Sequence, residues 1–282
     1  MICAHIPVVT GSVEPLRWSL PWLLGFRVPR SLAENVVWRI QRARGTDEVR
    51  YGNVVLPPRA LRVGATTYQD DTFFLDYADE DARLLVDWFG LDTTSRVLDV
   101  GCGQCRLAIG LMRQLATIGR YVGLDLDERS IDWGRRHLTT ADPAFEFQVL
   151  GVRNERYNPH GPALDERFHF PFPDAAFDLV YMSGVSPHLD PAEHRIYLAE
   201  FRRLLAPGGN VYLTAFVEDD VPSVTVNPEG YLGASWSGPR NCTRYERSFF
   251  FGLLAEAGFT VDRFEHGSGK FGSSRIAASA AR

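Results

Sequence analysis

From residue 96 onward, short apolar runs alternate with longer segments in which apolar residues recur every three or four positions. The short runs are typical of buried parallel strands, and the periodic segments are typical of amphipathic helices. Repeated strand–helix units predict a parallel sheet covered on both faces, with right-handed crossovers. The predicted strands are 96–100, 121–125, 145–150, 177–182, 210–216, 259–264 and 274–280, and the predicted helices are 104–117, 127–139, 191–206 and 247–257.

Residues 1–90 follow a less regular pattern, with two groups of large apolar side chains around Trp18–Phe26 and Tyr68–Tyr77. Ser31 and Glu34 have the spacing of a capping box, which predicts a helix over 32–44. A second helix is expected near 79–89. Two interpretations of 1–90 remain open, a packing layer on the main domain and a lid or substrate wall. We therefore divide the chain into an N-terminal lid or substrate-wall segment, 1–90, and a main domain, 91–282.

A glycine turn follows the first strand of the main domain. Gly101 and Gly103 allow a sharp backbone turn and a close approach of a ligand. Leucines recur at helical spacing just behind them, so the turn opens a helix whose N-terminal amides face the ligand. Asp125 ends the second strand, 24 residues after Gly101. In nucleotide-binding α/β folds a carboxylate at this place binds the ribose hydroxyls.

Five sequence motifs resemble those of class I S-adenosylmethionine-dependent methyltransferases, in the order and spacing of that family. They cover about two thirds of the chain, over residues 90–282. Each motif is weak alone, but together they are specific for the superfamily and leave the substrate open. They are Val97-Leu-Asp-Val-Gly-Cys-Gly103, Gly123-Leu-Asp-Leu-Asp127, Phe170-Pro-Phe-Pro-Asp-Ala-Ala-Phe-Asp178, Leu204-Leu-Ala-Pro-Gly-Gly209 and Ala257-Gly-Phe259.

The resemblance implies a Rossmann-like, doubly wound α/β sheet of about seven strands whose last strand is antiparallel. It implies S-adenosyl-L-methionine as the cofactor and assigns parts of its pocket to particular residues. Asp125 would bind the ribose hydroxyls, and Leu126 would flank the adenine. The methionine end would lie against Asp99, Gly101, Cys102, Gly103, Met182 and Ser183.

Two positions depart from the family pattern. Cys105 stands where a third glycine is usual, so the turn must accommodate a thiol side chain. Gly151 stands near the position where an acid often reaches the adenine amine. Adenine recognition would then rest on backbone groups or on Arg153 and Asn154.

Composition narrows the class of protein further. A net charge of −5 argues against a nucleic-acid binder with a basic face. No apolar run is long enough to span a bilayer and no signal peptide is evident, so we expect a cytoplasmic protein. The spacing of the four cysteines does not form a disulfide framework. Cys102 and Cys105 form a C-x-x-C, which leaves a thiol oxidoreductase as a rival, whereas Arg106 disagrees with a nicotinamide-binding G-x-G-x-x-G.

Methyl transfer to a hydroxyl is helped by a general base. His188, just beyond the fourth strand, is the candidate, since a histidine titrates in the useful range. His194 is expected to be solvent-exposed. Asp190, Asp219 and Asp220 offer oxygen ligands for magnesium. No metal site is predicted from them, because acids on loops are more often solvated.

The loop 218–246 is long enough to suggest a function, and we interpret it as a cap over the acceptor. A dimer contact explains it equally well, and a homodimer is compatible with the sequence. We therefore predict an S-adenosylmethionine-dependent O-methyltransferase of a small molecule or glycan. The alternatives are an N- or C-methyltransferase of a small metabolite and a non-catalytic cofactor-binding protein. The cap residues named for this role are Tyr231, Trp236, Arg240 and Tyr245.

Overall fold

The computed structural model describes residues 48–62 and 66–280, together with Val36, Arg39 and Ile40. The aromatic group around 18–26 lies outside the described residues, as does most of the helix predicted over 32–44. Within the described part of the chain, none of the helices has the length and apolar character needed to cross a membrane.

The central sheet consists of seven strands among the described residues. They are β3 (Arg96–Val100), β4 (Arg120–Asp125), β5 (Phe145–Val149), β6 (Phe177–Met182), β7 (Leu205–Glu218), β10 (Phe259–Glu265) and β11 (Ser274–Ala280). Their order across the sheet is β5-β4-β3-β6-β7-β11-β10. The strand β11 runs antiparallel to both of its neighbours, whereas the pairs among β3, β4, β5, β6 and β7 are parallel. This confirms the predicted fold class and the antiparallel last strand.

Two hairpins add to this sheet or stand beside it. The strands β1 (Val49–Tyr51) and β2 (Val54–Leu56) pair only with each other. The strands β8 (Val224–Val226) and β9 (Thr243–Glu246) form a second hairpin, and β9 pairs in parallel with the far end of β7. The segment 218–246, expected as a plain loop, thus carries an extension of the main sheet.

In the part of the chain that the structure describes from residue 66 onward, five α-helices cover the two faces of the sheet, and the side chains of each strand alternate between these faces. Along β3, Val97 packs in the core beneath α1 (Asp71–Phe89), α2 (Arg106–Leu115) and α3 (Glu128–Gly134). Leu98 packs in the core beneath α4 (Pro191–Leu204) and α5 (Arg247–Glu256). Burial on both faces explains the nearly continuous apolar runs of these strands.

The helix predicted near 79–89 begins eight residues earlier, at Asp71. Asp70 caps it, because its carboxylate accepts a hydrogen bond from the Phe73 amide at 2.8 Å. Phe74 and Tyr77 lie on the buried side of this helix. Phe73, Phe74 and Tyr77 of the second aromatic group are therefore part of α1, whereas Tyr68 lies in the turn before it.

The carboxyl ends of the parallel strands meet at one edge of the sheet, where ligands of such folds bind. The glycine turn after β3, Asp125 at the end of β4 and the segment 183–188 after β6 all lie there. The first turn of α1 lies at the same edge, because α1 ends at the opposite edge, just before β3 begins. A groove of about 960 Å³ at that opposite edge, lined by Arg203, Leu205 and Thr260 among others, is distant from these residues.

Candidate active site

The glycine turn is held by β4 and is packed against the segment that follows β6. The amides of Gly101 and Cys102 donate to the Leu124 carbonyl at 2.8 and 2.9 Å. Gly101 has a φ of +82°, and a Cβ there would lie 2.2 Å from Cγ2 of Val185. Both the backbone conformation and the close contact therefore require glycine at this position.

Cys105 occupies the place of the usual third glycine without disturbing the turn. It has the left-handed φ of +61° that a glycine would favour, and it directly precedes α2. Its thiol is fully buried, 3.7 Å from the Ser130 carbonyl oxygen. A Cβ on Gly134 would lie 2.9 Å from this sulfur, so the missing side chain of Gly134 provides the space.

The cysteine pair lies in the wrong environment for redox chemistry. Cys102 and Cys105 are free, buried thiols, and burial raises the pKa of Cys102 well above its ordinary value. Reactive cysteines are exposed and have a lowered pKa. The geometry thus favours a structural role for the C-x-x-C.

Asp125 bridges the end of β4 and the glycine turn. Its Oδ2 accepts the Gly103 amide at 2.7 Å, and its Oδ1 accepts the Asp127 amide at 2.8 Å. Burial raises the pKa of this carboxyl group, and the two amide hydrogen bonds oppose that shift. The carboxylate lies at the strand end predicted to bind ribose hydroxyls, fixed by backbone groups on both sides.

Asp99 lies beneath the turn and not in the cleft. It is 1% exposed, and its Oδ2 accepts the Tyr121 hydroxyl at 2.5 Å. Its Oδ1 is buried without a hydrogen-bond partner among the described residues. Burial raises the pKa of Asp99 to about 7, although the Tyr121 hydrogen bond lowers it. Asp99 would therefore shape the methionine end of the pocket from below.

The adenine end of the predicted pocket is apolar and open. Leu126 is half-buried, and Val149, which pairs with Asp125 in the sheet, is 41% exposed. A Cβ on Gly151 would meet no atom within 4 Å. Asn154 is not available there, because its amide donates to the His188 carbonyl and its Oδ1 accepts two backbone amides. The carboxylate, the turn and these apolar side chains fit an adenosine group.

Comparisons with known proteins agree with this geometry. A family model described as a methyltransferase domain matches residues 97–209. An uncharacterised methyltransferase of Schizosaccharomyces pombe is 30% identical over 49% of this chain and 45% of its own length. Residues 97–209 therefore match a methyltransferase domain, which is consistent with the class I S-adenosylmethionine-dependent methyltransferase superfamily.

Two further similarities show how far the likeness extends. A demethylmenaquinone methyltransferase of Listeria monocytogenes is 29% identical over 45% of this chain and 47% of its own length. The chain thus spans under half the length of these curated relatives. The structure of geranyl diphosphate methyltransferase in complex with S-adenosylmethionine matches 78% of this chain and 92% of its own, with a TM-score of 0.52 and 14% identity. That similarity shows the fold alone.

The end of β6 differs in part from the predicted arrangement. Ser183 is half-buried, with its Oγ 3.4 Å from Thr214 Oγ1, and the Gly184 amide donates to the same threonine oxygen at 2.9 Å. Met182 is fully buried in the core on the side of α4 and α5. Its side chain lies below the cleft and does not line it, because residues of β6 on that side point into the apolar core.

His188 joins three loops at the carboxyl edge of the sheet. Its Nδ1 donates to the Arg240 carbonyl at 2.9 Å, so Nε2 carries the free lone pair of the neutral ring. The Tyr157 hydroxyl lies 3.4 Å from Nε2. Burial lowers the pKa of His188 below its usual range, and the Arg240 hydrogen bond opposes this.

The expectation that His194 is solvent-exposed is wrong. It is fully buried beside Tyr245, and burial lowers its pKa to about 4. Two of the loop acids form ion pairs, Asp190 with Arg240 at 2.9 Å and Asp219 with Arg247 at 2.7 Å. Within the described ranges, no three His, Cys, Asp or Glu side chains are grouped so that they could hold a metal ion.

The named cap residues mostly hold the 218–246 segment together. Tyr245 is fully buried and donates to the Leu189 carbonyl at 2.7 Å. The Trp236 indole donates to the Tyr231 carbonyl at 2.9 Å. Arg240 pairs with Asp190, with Glu193 and, at 3.6 Å, with Glu155.

Sequence reasoning missed a carboxylate shared by two loops at the same edge. Glu218 accepts the Tyr231 hydroxyl and a His266 ring nitrogen, each at 2.7 Å. These hydrogen bonds lower the pKa of Glu218 although burial raises it. Glu218 and His266 are 48 residues apart, so no local pattern signals their contact. The pair ties the turn after β10 to the end of β7.

Proposed function

We propose that this chain is an S-adenosylmethionine-dependent methyltransferase that methylates a hydroxyl oxygen of a small molecule or glycan. The observation that carries the proposal is the Asp125 carboxylate fixed above the Gly101 turn. The match of residues 97–209 to a methyltransferase domain supports the same cofactor. The segment 1–90 is proposed as a lid or substrate wall, since the first turn of α1 lies at the carboxyl edge of the sheet.

S-adenosylmethionine supplies a methyl group on a sulfonium centre, together with a good neutral leaving group. Asp125 would accept hydrogen bonds from the ribose hydroxyls, and Val149 and Leu126 would contact the adenine. The turn at Gly101 and Gly103 lets the backbone approach the methionine portion closely. The remaining task of the protein is to align the acceptor oxygen and to exclude water.

His188 is proposed as the general base for the acceptor hydroxyl. The Arg240 carbonyl orients the ring and fixes its tautomer, as a base requires. Burial favours the neutral ring at neutral pH, which is the form that can take a proton. Tyr157 is 54% exposed and only 3.4 Å away, so an acceptor hydroxyl can replace its hydroxyl at Nε2.

A carbon acceptor is the second candidate. It is favoured by the Listeria monocytogenes relative, which is named demethylmenaquinone methyltransferase. Product analysis separates the two reactions, because a methyl group transferred from labelled cofactor gives different carbon-13 shifts on oxygen and on carbon.

The cofactor site is tested by calorimetric titration with S-adenosylhomocysteine of the wild type, Asp125→Ala and Asp76→Ala. Asp76 is exposed on α1 and serves as the matched control. Loss of hydrogen bonds to a charged group predicts about 10- to 100-fold weaker binding for Asp125→Ala. Asp76→Ala should bind like the wild type. The proposal fails if the folded wild type does not bind, or if Asp125→Ala binds equally well.

A further inference from the structure

Apolar side chains from three distant segments meet at the carboxyl edge of the sheet, and we call this group the aromatic wall. Tyr68, Phe73 and Tyr77 come from the start of α1 and the turn before it. Leu232 comes from the 218–246 segment, and Phe271 comes from the turn between β10 and β11. The wall was not evident in the sequence, because its members are up to 203 residues apart, from Tyr68 to Phe271.

Tyr68 is the centre of the wall. Its ring is parallel to that of Tyr77, with centroids 6.0 Å apart, and meets the Phe271 ring edge-on at 5.8 Å. Phe73 completes the cluster at 6.1 Å from Tyr68. The Leu232 side chain packs directly on Gly272, where a Cβ would come within 2.8 Å of it. The three segments thus form one continuous surface.

This surface lies beside the glycine turn of the cofactor site. Arg106 is the first residue of α2 after that turn, and its guanidinium carbon lies 3.7 Å from the centre of the Tyr77 ring. The wall therefore adjoins the first residue of the helix that follows the glycine turn. A molecule bound on the wall would be a neighbour of the methyl donor.

Two members of the wall present large apolar groups to solvent from unusual backbone conformations. Phe271 is 50% exposed with a φ of +61°, and Leu232 is 49% exposed with a φ of +54°. Non-glycine residues rarely adopt this region, and such conformations cluster at functional sites. Each side chain is only half-buried against the rest of the wall, which leaves half of its surface available for contact with a ligand.

The cations around the wall are each engaged by a carboxylate. Arg106 is paired with Asp81, and Lys270 and Arg275 both pair with Glu80 at 2.7 and 2.6 Å. The exposed part of the wall is therefore formed mainly by aromatic and aliphatic side chains. Its rings offer faces and edges for stacking, which suits a flat π-system.

We propose that the aromatic wall binds the acceptor, and that the acceptor carries a planar aromatic ring. This inference rests on the proposed function and narrows its substrate class from small molecules or glycans to flat aromatic compounds such as phenols. The ring would stack against Tyr68 and Phe271, with its hydroxyl directed toward the cofactor side of the wall.

Binding of 2-naphthol to the full-length protein tests the wall without requiring turnover. The titration is run in the presence of S-adenosylhomocysteine, with decahydro-2-naphthol as a probe of the same carbon frame that is neither flat nor aromatic. We expect 2-naphthol to bind about tenfold more tightly than the decahydro compound. Phe271→Ala should weaken 2-naphthol binding about tenfold and leave the affinity for S-adenosylhomocysteine unchanged.

Val226→Ala is the matched control, because Val226 is 51% exposed on β8, outside the wall. Leu232→Ala is a second wall variant, expected to weaken 2-naphthol binding by a smaller factor. If the wild type binds S-adenosylhomocysteine normally but does not bind 2-naphthol, the wall proposal is overturned and the proposed function is not. Occupation of the wall by another segment of the chain would also overturn the wall proposal. Equal 2-naphthol affinities of Phe271→Ala and wild type would also overturn it. Absence of S-adenosylhomocysteine binding would instead count against the proposed function.

Discussion

The cofactor half and the acceptor half of this cleft are built in different ways. The cofactor half consists of the turn after β3 and the ends of β4 and β5, and its key contacts are backbone amides and carbonyls. The acceptor half consists of the segment after β6, the 218–246 segment and the aromatic wall, and its contacts are made by side chains from distant positions. The cofactor half depends on glycines and one carboxylate, whereas the acceptor half depends on which side chains three loops bring together.

This difference determines which substitutions should be selective. A change in the cofactor half should affect every methylation that the protein performs, because it alters the binding of the common methyl donor. A change in the acceptor half should alter only acceptor binding or proton removal. The following substitutions separate the two halves.

The largest effect is expected for Gly101→Ala. The new Cβ would overlap Val185, and alanine is strained at a φ of +82°. Overpacking and backbone strain together predict about 1,000-fold weaker S-adenosylhomocysteine binding, measured by calorimetry. Gly52→Ala is the control, because Gly52 has a φ of +61° but no neighbour within 4 Å of its added Cβ. Similar binding losses in both variants would show that strain alone, and not the packing on Val185, is responsible.

His188→Asn should spare the cofactor half and impair the acceptor half. Loss of a general base predicts about 100-fold lower kcat/KM with a hydroxyl acceptor and unchanged S-adenosylhomocysteine affinity. In the wild type, kcat/KM should decrease at low pH, where the His188 ring becomes protonated and can no longer accept a proton. This decrease, the acid limb of the pH profile, should occur below the usual histidine range, because burial lowers the pKa of His188. The variant should lack this acid limb.

His266→Asn distinguishes this role from that of the other imidazole at the same edge. His266 pairs with Glu218 in a loop contact, so we expect less than about threefold change in kcat/KM. A large loss in His266→Asn together with a small loss in His188→Asn would transfer the base to His266.

The smallest effect is a pH dependence of stability from Asp99. Its folded-state pKa of about 7 lies above the ordinary value of 3.8, so the folded state holds a proton that the unfolded state has lost. Stability therefore falls as pH rises between about 4 and 7. Between pH 5 and 6.5 the loss is about 2 kcal/mol.

Asp99→Asn removes the titrating group and keeps the shape of the side chain. Urea unfolding at pH 5 and 6.5 should show the variant gaining about 2 kcal/mol relative to the wild type over that range. Other groups titrate equally in both proteins and cancel in the difference. If the difference in unfolding free energy between Asp99→Asn and the wild type is the same at pH 5 and 6.5, Asp99 is ionised in the folded protein at both pH values.

The sequence predicted the strands and the turn of the proposed cofactor half well because these features are local. The glycine turn, Asp125 and the strands around them occupy about fifty consecutive residues, and apolar runs buried on both faces are easily recognised. The family resemblance, confirmed by the comparisons, added the number of strands in the sheet and its antiparallel last strand. The start of α1 was missed because Phe73, Phe74 and Tyr77 were interpreted as a separate aromatic cluster.

The acceptor half was predicted poorly because its contacts join distant segments. Tyr245 and Arg240 were expected to face an acceptor, but their partners Leu189 and Asp190 come from the loop after β6. No sequence pattern marks Phe271 as a binding residue, because a single phenylalanine in a glycine-rich turn has no apolar partner at helix or strand spacing. His194 was placed at the surface because α5, which covers it through Phe250, cannot be located from the pattern around residue 194.

The parallel pairing of β9 with the end of β7 has a consequence for how the acceptor enters the cleft and how the product leaves it. Phe216, Val217 and Glu218 each pair with a residue of β9, and β9 leads directly into α5. Movement of this side of the cleft away from the sheet would break the backbone hydrogen bonds between β7 and β9. We therefore do not expect this side of the cleft to open as a hinged lid. We expect acceptor entry and product exit to use the side of α1 instead, and the rate of release to depend on the chain that precedes that helix.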